Sequence, residues 1–195
     1  MKLFLAGEGP TELGGFADPA PYRSAERGLL IAFAERVATS ELSVHDATLW
    51  KNIRKYKVGG HRNAEERNVL GLVLRAEESG AELVVFSRDR DGDLEREVAV
   101  ESGYASALNS FPKIRIAGGT ANEAIEAWLL AVLGEKASES HRRPKTVLAV
   151  RYPEVAQLSE QVRVIDDCDI GAIDADAASL HRWVDRLRTA LNRKE

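Results

Sequence analysis

Short runs of apolar residues alternate along the chain with longer stretches in which apolar residues recur every three or four positions. An uninterrupted apolar run predicts a strand buried on both faces, whereas the wider spacing predicts an amphipathic helix. The predicted strands are KLFLA at 2–6, VHDATLW at 44–50, ELVVFS at 82–87 and KIRIAGG at 113–119. The predicted helices span 23–38, 64–80, 93–108 and 120–134. Strands that alternate with helices predict an α/β fold, in which a four-stranded parallel sheet has helices on both faces.

The pattern changes near residue 135. The later segments HRRPKTVLAV, LSEQVRVI and ASLHRWVDRLRTAL have helical or irregular patterns, and no further strand is predicted. We therefore expect an α/β catalytic domain at 1–134 and a small helical C-terminal cap at 135–195. Near the start of the chain, the Gly- and Pro-rich stretch at 9–22 predicts a loop.

Composition narrows the class of protein. The 195 residues are 44% hydrophobic and 30% charged, which is typical of a soluble globular domain with a core of its own. The net charge of -4 means that any contact with nucleic acid must come from local basic patches. Cys168 is the single cysteine, so no intrachain disulfide can form. No apolar run is long enough for a membrane span or a signal peptide, and we expect a cytoplasmic protein without membrane contact.

Acidic residues follow three of the four predicted strands. They are Glu8 after the first strand, Asp89, Asp91 and Asp93 after the third, and Glu126 in the helix after the fourth. The carboxyl ends of parallel strands form one edge of a sheet, where ligands bind. Carboxylates that converge there repel one another, and a divalent cation relieves this repulsion. Oxygen ligands without a His or Cys cluster favour Mg²⁺ or Mn²⁺ over Zn²⁺.

Some of these acids have a structural interpretation as well. Asp93 precedes a predicted helix and could cap it. Thr120 and Glu123 match a capping box, which predicts a structural role for Glu123. Glu126 lies in the apolar run IEAWLLA, where an uncompensated carboxylate is costly, so we interpret it as functional. Glu12 could serve the site or lie on the loop, and the loop is the favoured interpretation.

The acidic motifs resemble those of the Toprim domain, a Rossmann-like α/β fold. The resemblance is carried by EGPTE at 8–12 after the first strand and DRD at 89–91 after the third. The run IEAWLLA at 125–131 is similar to a segment of small Toprim-like proteins and overcoming-lysogenization-defect-type nucleases of phage-defence loci. The resemblance covers about residues 1–134 and implies Mg²⁺-dependent cleavage of phosphodiester bonds in DNA or RNA.

The resemblance also implies roles for individual residues. Glu8 would be a metal ligand or the general acid/base, Asp89 and Asp91 would hold the metal, and Glu126 would help to hold a second ion. Asp93 is a further candidate ligand. No tyrosine is placed as a topoisomerase nucleophile and the chain is too short for a primase, so a nuclease is the favoured member of the class. Related proteins often work beside a separate ATPase, which implies an ATPase partner and an effector role in anti-phage defence, such as abortive infection.

A basic segment after the second predicted strand is the candidate nucleic-acid surface. Its cations are Lys51, Arg54, Lys55, Lys57, His61 and Arg62. They could hold a phosphate backbone, or they could belong to a solvated loop. A second basic run, HRRPK at 141–145, has the same two interpretations.

Two other functions stay open. DRDGD at 89–93 resembles the motif of haloacid-dehalogenase-type phosphatases, with Asp89 as nucleophile and Asp91 as acid/base. That motif normally follows the first strand and has threonine where this chain has Asp93. The other alternative is a catalytically silent Toprim-like subunit that binds nucleic acid or an ATPase partner.

Overall fold

Four parallel strands form the single sheet of the computed structural model, which describes residues 1–19, 23–57 and 63–193. The strands are β1 (Lys2–Gly7), β2 (Ser43–Leu49), β3 (Leu83–Asp89) and β4 (Arg115–Ala121). Their order in the sheet is β2-β1-β3-β4, and every neighbouring pair is parallel. The predicted α/β class and four-stranded parallel sheet are confirmed.

Eight α-helices connect and cover these strands within the described ranges. They are α1 (Pro10–Leu13), α2 (Leu29–Val37), α3 (Ala64–Ser79), α4 (Leu94–Ser110), α5 (Glu126–Val132), α6 (Pro144–Arg151), α7 (Leu158–Asp167) and α8 (Ala178–Asn192). The loop predicted at 9–22 contains α1, which begins at a proline after a glycine in extended conformation. The helix predicted at 120–134 begins only at Glu126, because the preceding strand continues to Ala121.

Alternate residues of the strands face two separate apolar layers. Leu3, Leu5 and Val85 face one layer, which contains residues of α2, α5, α6, α7 and α8. Phe4 and Phe86 face the other, which α3 and α4 cover. This arrangement explains the uninterrupted apolar runs, since both sides of each central strand are removed from water. The helices after residue 135 thus share one core with the sheet.

A buried polar network attaches α8 to the end of β4. The carboxylate of Glu139 accepts hydrogen bonds from the Ser179 backbone N–H at 3.0 Å and from the Ser179 hydroxyl at 2.6 Å. The same hydroxyl oxygen accepts from Trp128 Nε1 at 2.8 Å and from the backbone N–H of Asn122 at 3.1 Å. These bonds hold the turn that connects β4 to α5, and they leave the buried hydroxyl well satisfied.

None of the helices in residues 1–19, 23–57 and 63–193 has the length and apolar character needed to cross a membrane.

Candidate active site

Four carboxylates from different parts of the chain meet at the carboxyl edge of the sheet, and we call them the acidic cluster. They are Glu8, directly after β1, Glu12 in α1, Asp89 at the end of β3, and Glu126 at the start of α5. Their convergence follows from the strand order, because β1 and β3 are neighbours and β4 lies beside β3. The negative charges of the other three all raise the pKa of Asp89.

Asp89 lies at the centre of the acidic cluster and is 4% exposed. Its Oδ1 accepts a hydrogen bond of 3.0 Å from the backbone N–H of Ile125, and its own N–H donates to Glu8 Oε1 at 2.9 Å. Burial is the main cause that raises the pKa of the Asp89 carboxyl, which reaches about 8, and the charge of Glu8 is the next. A cation in the cluster would stabilise the ionised form.

Glu126 has an unsatisfied carboxylate oxygen. The residue is 5% exposed, and its Oε2 accepts no hydrogen bond from any described residue. Its Oε1 lies 3.6 Å from Nζ of Lys145. Burial raises the pKa of the Glu126 carboxyl, and the charge of Lys145 opposes this shift. A buried oxygen without a partner is costly in an apolar helix, which is consistent with a ligand-binding role.

Glu12 belongs to the acidic cluster, so the favoured interpretation of it as a loop residue is wrong, and the alternative, that it lies at the site, fits its position. It is 3% exposed within α1, and its Oε2 accepts from the backbone N–H of Gly9 at 3.0 Å. Burial is the main cause that raises its pKa to about 7. The sequence signal was local: Pro10 starts a helix, and Gly7 leaves room for it, since a Cβ at Gly7 would lie 2.6 Å from Glu12 Cβ.

Glu8 is the most accessible member, and an arginine partly neutralises it. The Glu8 side chain is 29% exposed, and its Oε1 pairs with the guanidinium of Arg88. Arg88 also pairs with Glu65 Oε1 at 3.0 Å, while Trp50 Nε1 donates to Glu65 Oε2 at 2.7 Å. These contacts hold Glu8 at the mouth of the acidic cluster.

Asp91 and Asp93 lie on the surface turn after β3 and contact Arg96. Asp91 adopts a positive φ of 52°, its side chain is 57% exposed, and its Oδ2 lies 2.6 Å from Arg96 Nη1. Asp93 caps α4, because its Oδ1 accepts from the Arg96 backbone N–H at 3.0 Å. The structure shows the capping alternative for Asp93, and a metal role for either aspartate stays a prediction.

The predicted capping box of Thr120 and Glu123 is wrong. Thr120 lies inside β4, where it pairs in register with Arg88. Glu123 has a positive φ of 62°, and its Oε1 accepts from Arg90 Nη2 at 2.7 Å. The pairing of β4 with β3 extends past Thr120, so no helix can begin there.

The acidic cluster fits a hard divalent cation in the kind of donor it offers. All its members are carboxylates, one oxygen of Glu126 is unsatisfied, and burial together with the charges of the other three members raises the pKa of Asp89. In the observed arrangement, no three Asp, Glu, His or Cys side chains among the described residues are placed to hold a metal ion.

The first basic segment leaves β2 at the same edge of the sheet. Lys51, Arg54, Lys55 and Lys57 are exposed, and the last three line a surface cavity of about 410 Å³. His61 and Arg62 lie outside the described residues. Trp50, which directly precedes the segment, donates a hydrogen bond to Glu65. Glu65 in turn pairs with Arg88, the partner of Glu8 in the acidic cluster.

Comparison with known proteins does not identify the chain: no protein-family model matches it, and no curated protein or solved structure matches it significantly.

Proposed function

We propose that this chain is a Mg²⁺-dependent nuclease of the Toprim type, which hydrolyses phosphodiester bonds in DNA or RNA. The observation that carries the proposal is the acidic cluster at the carboxyl edge of a parallel sheet. Its central carboxyl, Asp89, has its pKa raised to about 8, and Glu126 has an oxygen without a partner. Such a group of buried carboxylates is costly unless it serves a cation or a reaction.

The residues that would hold Mg²⁺ or Mn²⁺ are Glu8, Asp89 and Glu126, and Asp91 and Asp93 are further candidates. When bound, the ion would polarise a phosphoryl oxygen and make a bound water more acidic. Glu8 is the carboxylate best placed to accept a proton from water, because it is the member of the acidic cluster that solvent reaches most easily. The Ile125 N–H orients Asp89 through its hydrogen bond of 3.0 Å.

Substrate would be held by exposed cations rather than by the overall charge, which is -4. Lys51 lies two residues after the end of β2, at the edge of the sheet that carries the acidic cluster, and Arg54, Lys55 and Lys57 line the surface cavity beside α3 together with Arg75 and Glu78. These exposed cations can contact a phosphate backbone. The proposal includes action in the cytoplasm as the effector of an anti-phage system, beside a separate ATPase. This part rests on the resemblance at 8–12, 89–91 and 125–131 alone.

The test is a cleavage assay on plasmid DNA, single-stranded DNA and tRNA with Mg²⁺ or Mn²⁺. We expect the wild-type chain to cleave at least one substrate and to lose activity with EDTA. The variants Asp89→Asn and Glu126→Gln should be inactive. Glu154→Gln is the matched control, since Glu154 is exposed in the segment between α6 and α7. Cleavage that survives EDTA or both substitutions in the acidic cluster would contradict the proposal.

The phosphatase alternative gains no support from the described contacts. Asp91, its acid/base, is engaged by Arg96 at the surface, and Asp89, its nucleophile, is buried against the Ile125 N–H. Hydrolysis of a simple phosphomonoester with a covalent phosphate on Asp89 would nevertheless establish it. Metal binding without turnover of any substrate would instead favour the catalytically silent subunit.

A further inference from the structure

A cleft of about 330 Å³ lies beside the acidic cluster, between the start of α6 and the turns that follow β3 and β4. Arg142, Arg143 and Lys145 line one side of it, and Asp91 and Glu123 line the other. We call it the basic cleft. It borders the acidic cluster directly, because Lys145 lines the cleft and also pairs with Glu126 of the cluster, at 3.6 Å.

The acids in the basic cleft already have partners of their own. Asp91 Oδ2 lies 2.6 Å from Arg96 Nη1, and Glu123 Oε1 lies 2.7 Å from Arg90 Nη2. Neither Arg96 nor Arg90 lines the cleft. These two arginines, which lie outside the cleft, therefore largely offset the negative charge of Asp91 and Glu123. The two acids consequently do not neutralise the cations on the opposite side of the cleft.

The two arginines of the basic cleft have no comparable partners among the described residues. Arg142 and Arg143 are exposed, and within the described residues neither side chain makes a hydrogen bond or an ion pair. The buried Pro144 follows them as the first residue of α6, so its ring restricts the backbone between Arg143 and Lys145. Adjacent unpaired cations on a constrained backbone repel one another, and an anion relieves this repulsion.

We propose that the basic cleft binds a phosphate group of a nucleic-acid strand, at a position other than the bond that is cleaved. Guanidinium groups bind phosphate through paired hydrogen bonds, which suits Arg142 and Arg143. A strand whose scissile phosphate lies at the acidic cluster can reach the cleft, since Lys145 lines the cleft and also pairs with Glu126 of the cluster. This inference deepens the proposed function and rests on it for the identity of the strand.

The test measures binding without cleavage. A fluorescein-labelled single-stranded DNA is titrated with the 195-residue chain in EDTA, at KCl concentrations from about 50 to 200 mM. Fluorescence anisotropy is recorded for the wild type and for the double variant Arg142→Ala, Arg143→Ala. The matched control is Lys2→Ala, Lys113→Ala, which removes the same charge from exposed residues at the opposite edge of the sheet. Circular dichroism checks that all three proteins are folded.

We expect the arginine variant to bind about tenfold more weakly at the lowest salt. The slope of log K against log salt should become shallower by about 0.7 to 1 for each phosphate that the variant no longer binds. The control should follow the wild type. The same titration with a 5′-phosphorylated and an unphosphorylated strand distinguishes a terminal phosphate from an internal one. If both strands bind more weakly to the arginine variant than to the wild type, the cleft binds an internal phosphate. If only the phosphorylated strand does so, the cleft binds the terminal phosphate.

The proposal is overturned if the arginine variant binds like the wild type, if the control weakens equally, or if the wild type does not bind the strand. Because no metal is present, this outcome is separate from that of the cleavage assay. If binding depends on the arginines but the wild type cleaves no substrate, the proposed nuclease function is refuted and the proposed phosphate site is supported. If the wild type cleaves a substrate but the arginine variant binds DNA as the wild type does, the proposed phosphate site is refuted and the proposed nuclease function is supported.

Discussion

Replacing Asp89 by Asn should make the folded chain more stable above neutral pH. The folded state holds the pKa of the Asp89 carboxyl at about 8, mainly through burial, against 3.8 as the ordinary value. The folded chain therefore binds this proton more tightly than the unfolded chain does. The stability that comes from the neutral carboxyl is complete below pH 3.8 and is lost as the pH rises to about 8.

The size of the effect follows from the same two pKa values. Each pH unit between them lowers the free energy of unfolding by about 1.4 kcal/mol, so the loss by pH 7 is on the order of 4 kcal/mol. Asparagine keeps an oxygen that can accept from the Ile125 N–H, and it carries no charge. Its amide must find new partners beside Glu8 and Glu12, so we expect a net gain of about 2 kcal/mol at pH 8 and none near pH 4.

Urea unfolding in EDTA, repeated between about pH 4 and 8, measures this difference. The matched control is Asp185→Asn, which removes an exposed carboxylate from α8. The difference in the free energy of unfolding between Asp89→Asn and the wild type should increase steadily with pH. The difference between the control and the wild type should stay small. The reasoning is refuted if Asp89→Asn is no more stable than the wild type at pH 8, or if its effect does not change with pH.

Three further substitutions test the surroundings of the site. Lys145→Met removes the positive charge that lowers the pKa of Asp89. In a profile of stability against pH, the loss of stability should therefore extend to higher pH than in the wild type. An unchanged profile would contradict this charge interaction between Lys145 and Asp89. Gly118→Ala places a Cβ 2.3 Å from the Phe86 ring, and calorimetry should show that the free energy of unfolding falls by about 2 kcal/mol. Stability equal to that of the wild type would mean that the ring moves freely. Ser179→Ala leaves the buried Trp128 Nε1 without its acceptor and should cost about 3 kcal/mol in urea unfolding, unlike an exposed Ser→Ala change.

The position of Glu8 and Asp89 could be predicted from the letters because it depends on local pattern. Each follows an apolar run that is long enough for one buried strand, and the ends of parallel strands meet at one edge. The burial of Glu12 was missed, since a short Gly- and Pro-rich stretch predicts a loop whether or not the core covers it.

The start of α5 shows where local preference loses to pairing between strands. Thr120 and Glu123 match a capping box, yet β4 pairs with β3 as far as Ala121 opposite Asp89. The helix begins later than the turn-and-cap pattern alone suggests, at Glu126. The same pairing brings Ile125 to the Asp89 carboxylate, so the contact that orients this side chain has no counterpart in the sequence pattern.

The alternation of strands and helices, the parallel sheet and the acids that follow its strands could all be predicted from the residue pattern, because apolar periodicity and strand ends are local properties of the chain. The tertiary structure alone decided which carboxylates share one buried site. Glu12 and Glu126 join Asp89, whereas Asp91 and Asp93 remain at the surface with Arg96. Burial and charge depend on segments far apart in sequence, and the raised pKa of Asp89 exists only once these segments are packed together.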